Sequence, residues 1–242
     1  MYLWVIATLL SYFVKGLCGF ASSIVFGLVL GFRVPNSMIT PVDCIYTLVS
    51  NSVMTWRNRQ YVRLRVAIPC ASILTAASIV GILFLKNTDA GIIKLVFGFV
   101  VIFMGIYLFV KDVRGESGRM NKVLETMCVV LAGVMTGLYG IGALMGVYIS
   151  SRTETANEFR ATMCSVFLAE GVIRTVIYAV TGLITRESVM MAIVLLPCMI
   201  VGLYAGIRCS EVIDTKLAKR IVLLTLIVSG IVLAVRSLLS II

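Results

Sequence analysis

The sequence contains no histidine, and only 13% of its 242 residues are charged. Its seven cysteines form no Cys-x-x-Cys pair, so the ligand pattern of a conventional zinc site is missing. It also lacks a nucleophile-and-base constellation and a phosphate-cradling motif, which disfavours an enzyme. We therefore expect no catalytic residues, no metal and no cofactor.

Apolar residues dominate what is present, at 60% of the chain with a mean hydropathy of +1.08. Eight nearly uncharged segments cover roughly 3–32, 36–56, 66–85, 95–110, 123–151, 161–185, 188–207 and 221–235. Most approach the roughly 20 apolar residues with which a helix crosses the bilayer. Because lipid leaves unpaired backbone groups unsatisfied, these segments predict an all-α polytopic membrane protein.

The net charge of +10 does not indicate a nucleic-acid partner. The basic residues lie mainly in short connections between apolar segments, such as residues 57–65. Basic connections of this kind fix the orientation of a membrane protein. We therefore expect membrane lipid, and no nucleic acid, as the surroundings of the chain.

An internal duplication divides the chain into two halves. KGLCGFASS at 15–23 matches TGLYGIGAL at 136–144, and four further identities recur at an offset of 125, Gly81 with Gly206 among them. The match predicts a first repeat at 1–112, a polar linker at 113–121 and a second repeat at 122–242. Duplicated halves are common in secondary transporters, which bind substrate at the repeat interface.

The first apolar segment of each half is about 30 residues long, or about 45 Å as one helix, which exceeds the hydrocarbon thickness. Each holds a central glycine cluster where a helix could break. Two interpretations remain open: a tilted continuous helix, or two half-helices that return the chain to the side from which it entered.

The basic residues favour the second interpretation. Lys15 and Arg174 lie within apolar segments, and the other nineteen divide ten to nine if all eight segments cross. They divide fourteen to five if both glycine-broken segments return. Because basic residues concentrate in the cytoplasm, we expect inverted repeats, a cytoplasmic linker and both termini outside.

Several of these features belong together in one known family. The glycine-rich first segments, a second segment with Thr40 or Thr162, and the basic turn RNRQYV resemble the sulfite exporter TauE/SafE family, also called the 4-toluene sulfonate uptake permease family. The resemblance spans nearly the full length. It implies a secondary carrier of sulfite, sulfonates or related small organic anions in the cytoplasmic membrane.

The chain departs from the family pattern at two places. Relatives commonly carry a GxGGG-like run where this chain has GFASS and GIGAL. The AxxTS-like start of the second segment reads ITPVD and RATMC. Because members of the family differ in cargo and direction, the exact cargo and the direction of transport stay unpredicted.

The glycine breaks supply the candidate binding site. A helix that starts after a break offers unpaired N–H groups and a positive dipole end to an anion. The alternative is that these small residues only pack helices together. The predicted substrate ligands are Lys15, Gly19, Phe20, Ser22, Ser23, Thr40, Asn51, Gly140, Gly142, Thr162 and Arg174.

Four charged residues interrupt apolar segments: Lys15, Asp43, Glu170 and Arg174. Such residues face the protein interior or a water-filled cavity. We expect Arg174 to attract the anion and Glu170, one turn earlier, to take up a proton when the cargo leaves. The alternative is a permanently closed ion pair, and Lys15 could equally snorkel to an interface.

The function predicted is a secondary transporter of a small anion, coupled to protons. A membrane-embedded enzyme or an accessory subunit without transport activity is the alternative. The expected partners are the anion, protons and membrane lipid, and a homodimer is left open.

Overall fold

The structure is a computed structural model that describes residues 1–31, 33–87, 122–139, 142, 145–150 and 152–210, with isolated positions beyond them. All regular secondary structure in these ranges is helical, which confirms the predicted class of helical membrane protein. The helices are α1 (Tyr2–Cys18), α2 (Ser22–Leu30), α3 (Asn36–Arg57), α4 (Leu64–Asn87), α5 (Lys122–Tyr139), α6 (Met145–Ser150), α7 (Ala156–Val180) and α8 (Arg186–Ser210).

Three of the described helices are long and apolar enough to cross a bilayer, over Leu64–Ile82, Asn157–Val180 and Arg186–Ser210. Their outer faces carry large exposed apolar side chains such as Ile68, Val176 and Val201. Lipid accommodates such side chains, whereas water does not. The linker predicted at 113–121 lies outside the described residues, and the repeat boundaries stay a prediction.

The first long segment is broken in two. The helix α1 ends at Cys18, Gly19 takes a left-handed conformation with φ 87°, and α2 starts after Ala21 with φ 74°. The rings of Trp4 and Phe26 lie 5.8 Å apart, although one continuous helix would separate these residues by about 33 Å. The helix α2 therefore folds back along α1, and a single tilted helix is wrong for this segment.

Alanine at position 21 is an unusual choice for a left-handed conformation, because its Cβ crowds the following carbonyl at a cost of about 1–2 kcal/mol. Glycine would avoid that cost. Ala21 therefore strains the backbone where the helix breaks.

The corresponding segment of the second half is also interrupted. The helix α5 ends at Tyr139 and α6 starts at Met145, whose N–H donates to the Gly142 carbonyl at 3.0 Å. Gly142 is the described residue between them. Each half thus opens with a helix, a glycine-containing break and a shorter helix.

The helices pack mainly in three pairs: α1 with α8, α4 with α5, and α3 with α7. In the first pair a Cβ at Gly16 would lie 2.5 Å from the Leu203 carbonyl oxygen, and one at Gly206 would collide with the Phe13 carbonyl. A Cβ at Gly202 would likewise lie 2.6 Å from the Leu9 carbonyl oxygen. These contacts advance together along both helices, so α1 and α8 run parallel.

The pair α4 and α5 is built in the same manner. A Cβ at Gly81 would collide with the Val134 carbonyl, and one at Gly137 with the Ser78 carbonyl. A Cβ at Gly133 would lie 2.7 Å from the Leu74 carbonyl oxygen. These helices also run parallel, and glycine allows their backbones to approach closely.

The central pair, α3 and α7, runs antiparallel. Near the start of α3, Cys44 Sγ lies 3.3 Å from Thr175 Oγ1, whereas near its end Met54 Sδ lies 3.8 Å from Cys164 Sγ. Beyond that end, Arg63 Nη2 reaches carboxylate oxygens of the segment that opens α7, at 3.3 Å in Glu154 and 3.0 Å in Glu158. The connections at 58–63 and 152–158 therefore lie at one face of the molecule.

Candidate functional site

A small cavity of about 30 Å³ lies where both helix breaks meet the middle of α3 and α7. This is room for a few water molecules or for the charged group of a small anion. Its walls include Ala21 and Ile24 from the first break. The predicted site residues that line it are Lys15, Phe20, Ser22, Ser23, Asn51, Gly142 and Arg174.

The charged side chains in the cavity wall are both basic. Lys15 projects from α1 and Arg174 from α7, and each is at most 2% exposed. The Lys15 ammonium lies 5.7 Å from the centre of the Tyr12 ring, inside the protein, so it does not snorkel to an interface. Since neither buried carboxylate, Asp43 nor Glu170, lines the cavity, the charges nearest to a bound group are positive and favour an anion.

Glu170 forms an ion pair with Arg174 that leaves guanidinium donors unused. The Arg174 Nε lies 3.5 Å from Glu170 Oε1, and both side chains are 1% exposed. Among the described residues, neither Glu170 oxygen makes a hydrogen bond, nor do Nε and Nη1 of Arg174. Glu170 does not line the cavity, whereas Arg174 does, so guanidinium donors remain for a bound group.

Asn51 supports the same interpretation. Its side chain is fully buried in the cavity wall, and neither its amide nitrogen nor its oxygen has a hydrogen-bond partner among the described residues. The Thr47 hydroxyl, one helical turn earlier, is likewise buried without a partner. Buried polar groups are nearly always paired, so these atoms fit a ligand or water in the cavity.

The start of α2 adds backbone donors. Ser22 and Ser23 open this helix, and no side chain caps it. The first N–H groups of a helix lack intrahelical acceptors and carry the positive end of its dipole. The Ser23 hydroxyl, however, donates to Asp43 Oδ2 at 2.6 Å, so its hydrogen is already used.

Three predicted residues do not reach the cavity. The Gly19 N–H donates to the Lys15 carbonyl at 2.6 Å and caps α1, so it is not free to bind an anion. The Thr162 hydroxyl accepts the Arg63 N–H at 3.2 Å, and Thr40 lies near the start of α3, about three turns before Asn51. Gly140 lies outside the described residues.

Five lining residues were missed by the sequence-based prediction: Ala21, Ile24, Thr47, Thr136 and Phe167. Spacing could have identified Thr47, because Asp43, Thr47 and Asn51 recur every four residues on one helix face. Thr136 is the first residue of the glycine motif of the second half, at the position that Lys15 holds in the first half. Phe167 carries no sequence signal, since apolar residues surround it on every side.

Within the described ranges, no group of three His, Cys, Asp or Glu side chains lies close enough to hold a metal ion. The chemistry available is reversible binding by cations, amides, hydroxyls and backbone N–H groups.

Comparison with protein families identifies the chain. The family model described as sulfite exporter TauE/SafE matches residues 4–233. No curated protein and no solved structure matches the chain. The matched family consists of membrane transporters and not of enzymes. Since the match covers nearly the whole sequence, the protein belongs to the sulfite exporter TauE/SafE family.

Proposed function

We propose that the protein is a multi-pass secondary transporter that carries a small anion across the cytoplasmic membrane. The cargo class is sulfite, a sulfonate or a related small organic acid. The observation that carries the proposal is the buried cavity, in which Lys15 and Arg174 are the charged wall residues and Asn51 has no partner. Family membership supports transport of this class of anion.

Each element contributes a different kind of contact to the anion. Arg174 offers a planar set of donors that suits an oxyanion, and Lys15 adds a second positive charge. The Asn51 amide and the first N–H groups of α2 supply neutral donors. Phe20 and Phe167 close the wall with apolar surface, which strengthens these interactions by excluding water.

Glu170 is the proposed proton-coupling residue. In the empty cavity its carboxylate balances Arg174, and an anion bound to Arg174 takes over that balance. The carboxylate would then be buried without compensation, so it takes up a proton from water. The 3.5 Å pair thus supports proton uptake on binding, the reverse of the order expected from the sequence.

We further propose that the two halves are inverted repeats. The parallel pair α1 and α8 corresponds to α5 and α4 when the halves are exchanged, and the Gly16–Gly206 contact corresponds to Gly137–Gly81. The helices α3 and α7 are each other's counterparts in the two halves. Inverted repeats require such counterparts to run in opposite directions, and these two are antiparallel.

Flux in proteoliposomes tests the transport proposal. A thermal-shift screen of sulfite, sulfonates and carboxylates on purified protein would first select a ligand. Uptake of that ligand should then depend on Arg174 and be faster with an inward proton gradient. Arg186→Ala is a matched control, because Arg186 is an exposed arginine away from the cavity, and it should transport normally. Absence of flux for every ligand in the screen contradicts the proposal.

A further inference from the structure

We propose that Asp43 is a second protonation site, and that its proton turns the Ser23 hydroxyl from Asp43 toward the bound anion. The inference rests on the anion-binding function proposed above. Asp43 is buried in α3 at 4% exposure and does not line the cavity. Of the two described hydroxyls that donate to it, Ser23 is the closer at 2.6 Å and Tyr12 lies at 3.5 Å.

Ser23 connects this carboxylate to the site. It lies in the first turn of α2 and lines the cavity, while its hydroxyl hydrogen points to Asp43 Oδ2. The Tyr12 hydroxyl makes a longer contact of 3.5 Å with Oδ1. An ionised Asp43 therefore holds the Ser23 hydrogen away from the anion.

The surroundings of Asp43 leave its charge only partly balanced. Among the described residues, it forms no ion pair of the kind that joins Arg174 to Glu170. The charged residues of α8 lie at its exposed ends. The titratable groups that act on Asp43 are Tyr12 and Lys15 of α1, Cys44 of its own helix, and Glu170, Arg174 and Tyr178 of α7.

Protonation would rearrange this contact without moving a helix. A proton taken from water onto Oδ2 makes Asp43 a donor, and the Ser23 oxygen can accept that hydrogen bond. The Ser23 hydrogen is then free to turn into the cavity. Protonation also removes a negative charge near the anion, so both effects strengthen binding.

The charges of the four buried side chains indicate which kind of anion a second proton would allow the site to bind. Lys15 and Arg174 carry two positive charges, and ionised Asp43 and Glu170 carry two negative ones. A monovalent anion with one proton keeps the buried cluster neutral, whereas a dianion needs two protons. Because net charge in a buried site is costly, the second carboxylate allows the site to accept a dianion such as fully ionised sulfite.

A ligand-free measurement tests the protonation itself. In infrared difference spectra of the detergent-purified protein between high and low pH, a protonated carboxyl band should be missing from Asp43→Asn. The same band should persist in Glu170→Gln. Identical spectra for the wild type and Asp43→Asn would overturn the proposal, whatever the cargo proves to be.

Calorimetric binding of sulfate, which is a dianion at every working pH, tests the switch, because without Glu170 the buried cluster then needs one proton on Asp43 to stay neutral. In Glu170→Gln the affinity should rise by up to about tenfold per pH unit as the pH falls, the slope for one proton taken up. Adding Asp43→Asn should remove that slope. Adding Ser23→Ala instead should weaken binding several-fold more at low pH than at high pH, because only protonated Asp43 frees this hydroxyl.

The outcomes separate the two proposals. An unchanged slope in the Asp43→Asn double variant overturns the Asp43 switch while leaving anion transport intact. Failure of the wild type to bind sulfate or sulfite contradicts the proposed function, and the infrared spectra still decide whether Asp43 titrates.

Discussion

Single residues carry the chemistry of this protein, and Arg174 is the clearest case. Its side chain is 2% exposed, yet two of its guanidinium nitrogens have no hydrogen-bond partner among the described residues. Burying a charge in lipid is expensive, and a residue placed only for structure would be expected to pair fully. A loose pair with Glu170 fits a group that exchanges partners during transport.

The pair can be tested by separating its structural role from its binding role. Arg174→Ala should abolish anion binding and lower the free energy of unfolding by about 3–5 kcal/mol, because Glu170 stays buried without its partner. Adding Glu170→Gln should recover much of that stability without restoring binding. Thermal unfolding and calorimetry in detergent measure the two effects. Normal binding by the stable double variant would contradict the assignment of Arg174.

Gly142 offers a second test at the same scale. A Cβ at this position would collide with the Phe167 ring and lie 2.8 Å from Thr136 Oγ1, so it would fill the cavity wall. Gly142→Ala should lower anion affinity at least several-fold in a protein that remains folded. Ser22→Ala should have a smaller effect, since the backbone donors of α2 persist. From the sequence alone, we expect Gly140→Ala to lower the anion affinity as well.

Gly146→Ala is the control for that experiment. Its Cβ would lie 3.5 Å from the nearest Phe20 atom, an ordinary contact, and Gly146 does not line the cavity. Affinity should therefore be unchanged. Equal affinity in Gly142→Ala and the wild type, measured by calorimetry, would exclude the second helix break from the site.

Some residues of the candidate site could be predicted from the sequence and others could not. Lys15, Asn51 and Arg174 were predictable, because a polar or charged side chain in an apolar segment is costly in lipid and therefore faces the protein interior or a cavity. Thr40 and Thr162 were chosen from repeat position alone, and the chain places them away from the cavity. Phe167 was unpredictable, since only tertiary packing distinguishes a cavity wall from a helix contact.

Helices and their contacts form the next scale, and glycines determine how closely they approach. Gly16 and Gly206 bring α1 against α8, and Gly81 and Gly137 bring α4 against α5. Without a hydrophobic force between helices in lipid, such close van der Waals contact stabilises the bundle. The repeat comparison had already matched these four glycines in the sequence. Which of them contact each other across helices could be seen only in the structure.

Substitution at these contacts should destabilise both helix pairs alike. Gly206→Ala and Gly81→Ala each place a methyl group against a backbone carbonyl, which cannot move aside as a side chain can. Each should lower the free energy of unfolding by about 1–3 kcal/mol. Gly27→Ala, where a Cβ meets open space, should leave stability unchanged or slightly higher. A neutral result at Gly206 and Gly81 in thermal unfolding would contradict the close packing.

The position of the first helix break could be predicted from the sequence, but the direction of the helix that follows it could not. Segment length and glycine content indicated a break near Gly19, and the left-handed residues at 19 and 21 lie there. Whether α2 continues or folds back could not be decided from the residues. The answer depends on the long-range contact between Trp4 and Phe26.

For the whole molecule, the decisive property is the side of the membrane on which each connection lies. Arg63 contacts Glu154 and Glu158, so the connections after α3 and before α7 share one face. If every apolar segment crossed, these connections would lie on opposite sides. The contact therefore supports the arrangement that the basic residues favour, with fourteen of them on the cytoplasmic side.

Two cysteine reporters distinguish the arrangements directly. Inverted repeats place Ser117 in the cytoplasm and Leu183, in the turn after α7, outside the cell. Eight crossing segments would place both on the same side. An impermeant thiol reagent applied to intact cells should therefore label Leu183→Cys and spare Ser117→Cys, and should label both after the cells are opened. The background needs only Cys198 and Cys209 replaced, because the other five cysteines are buried. Equal labelling of both reporters in intact cells would contradict inverted repeats.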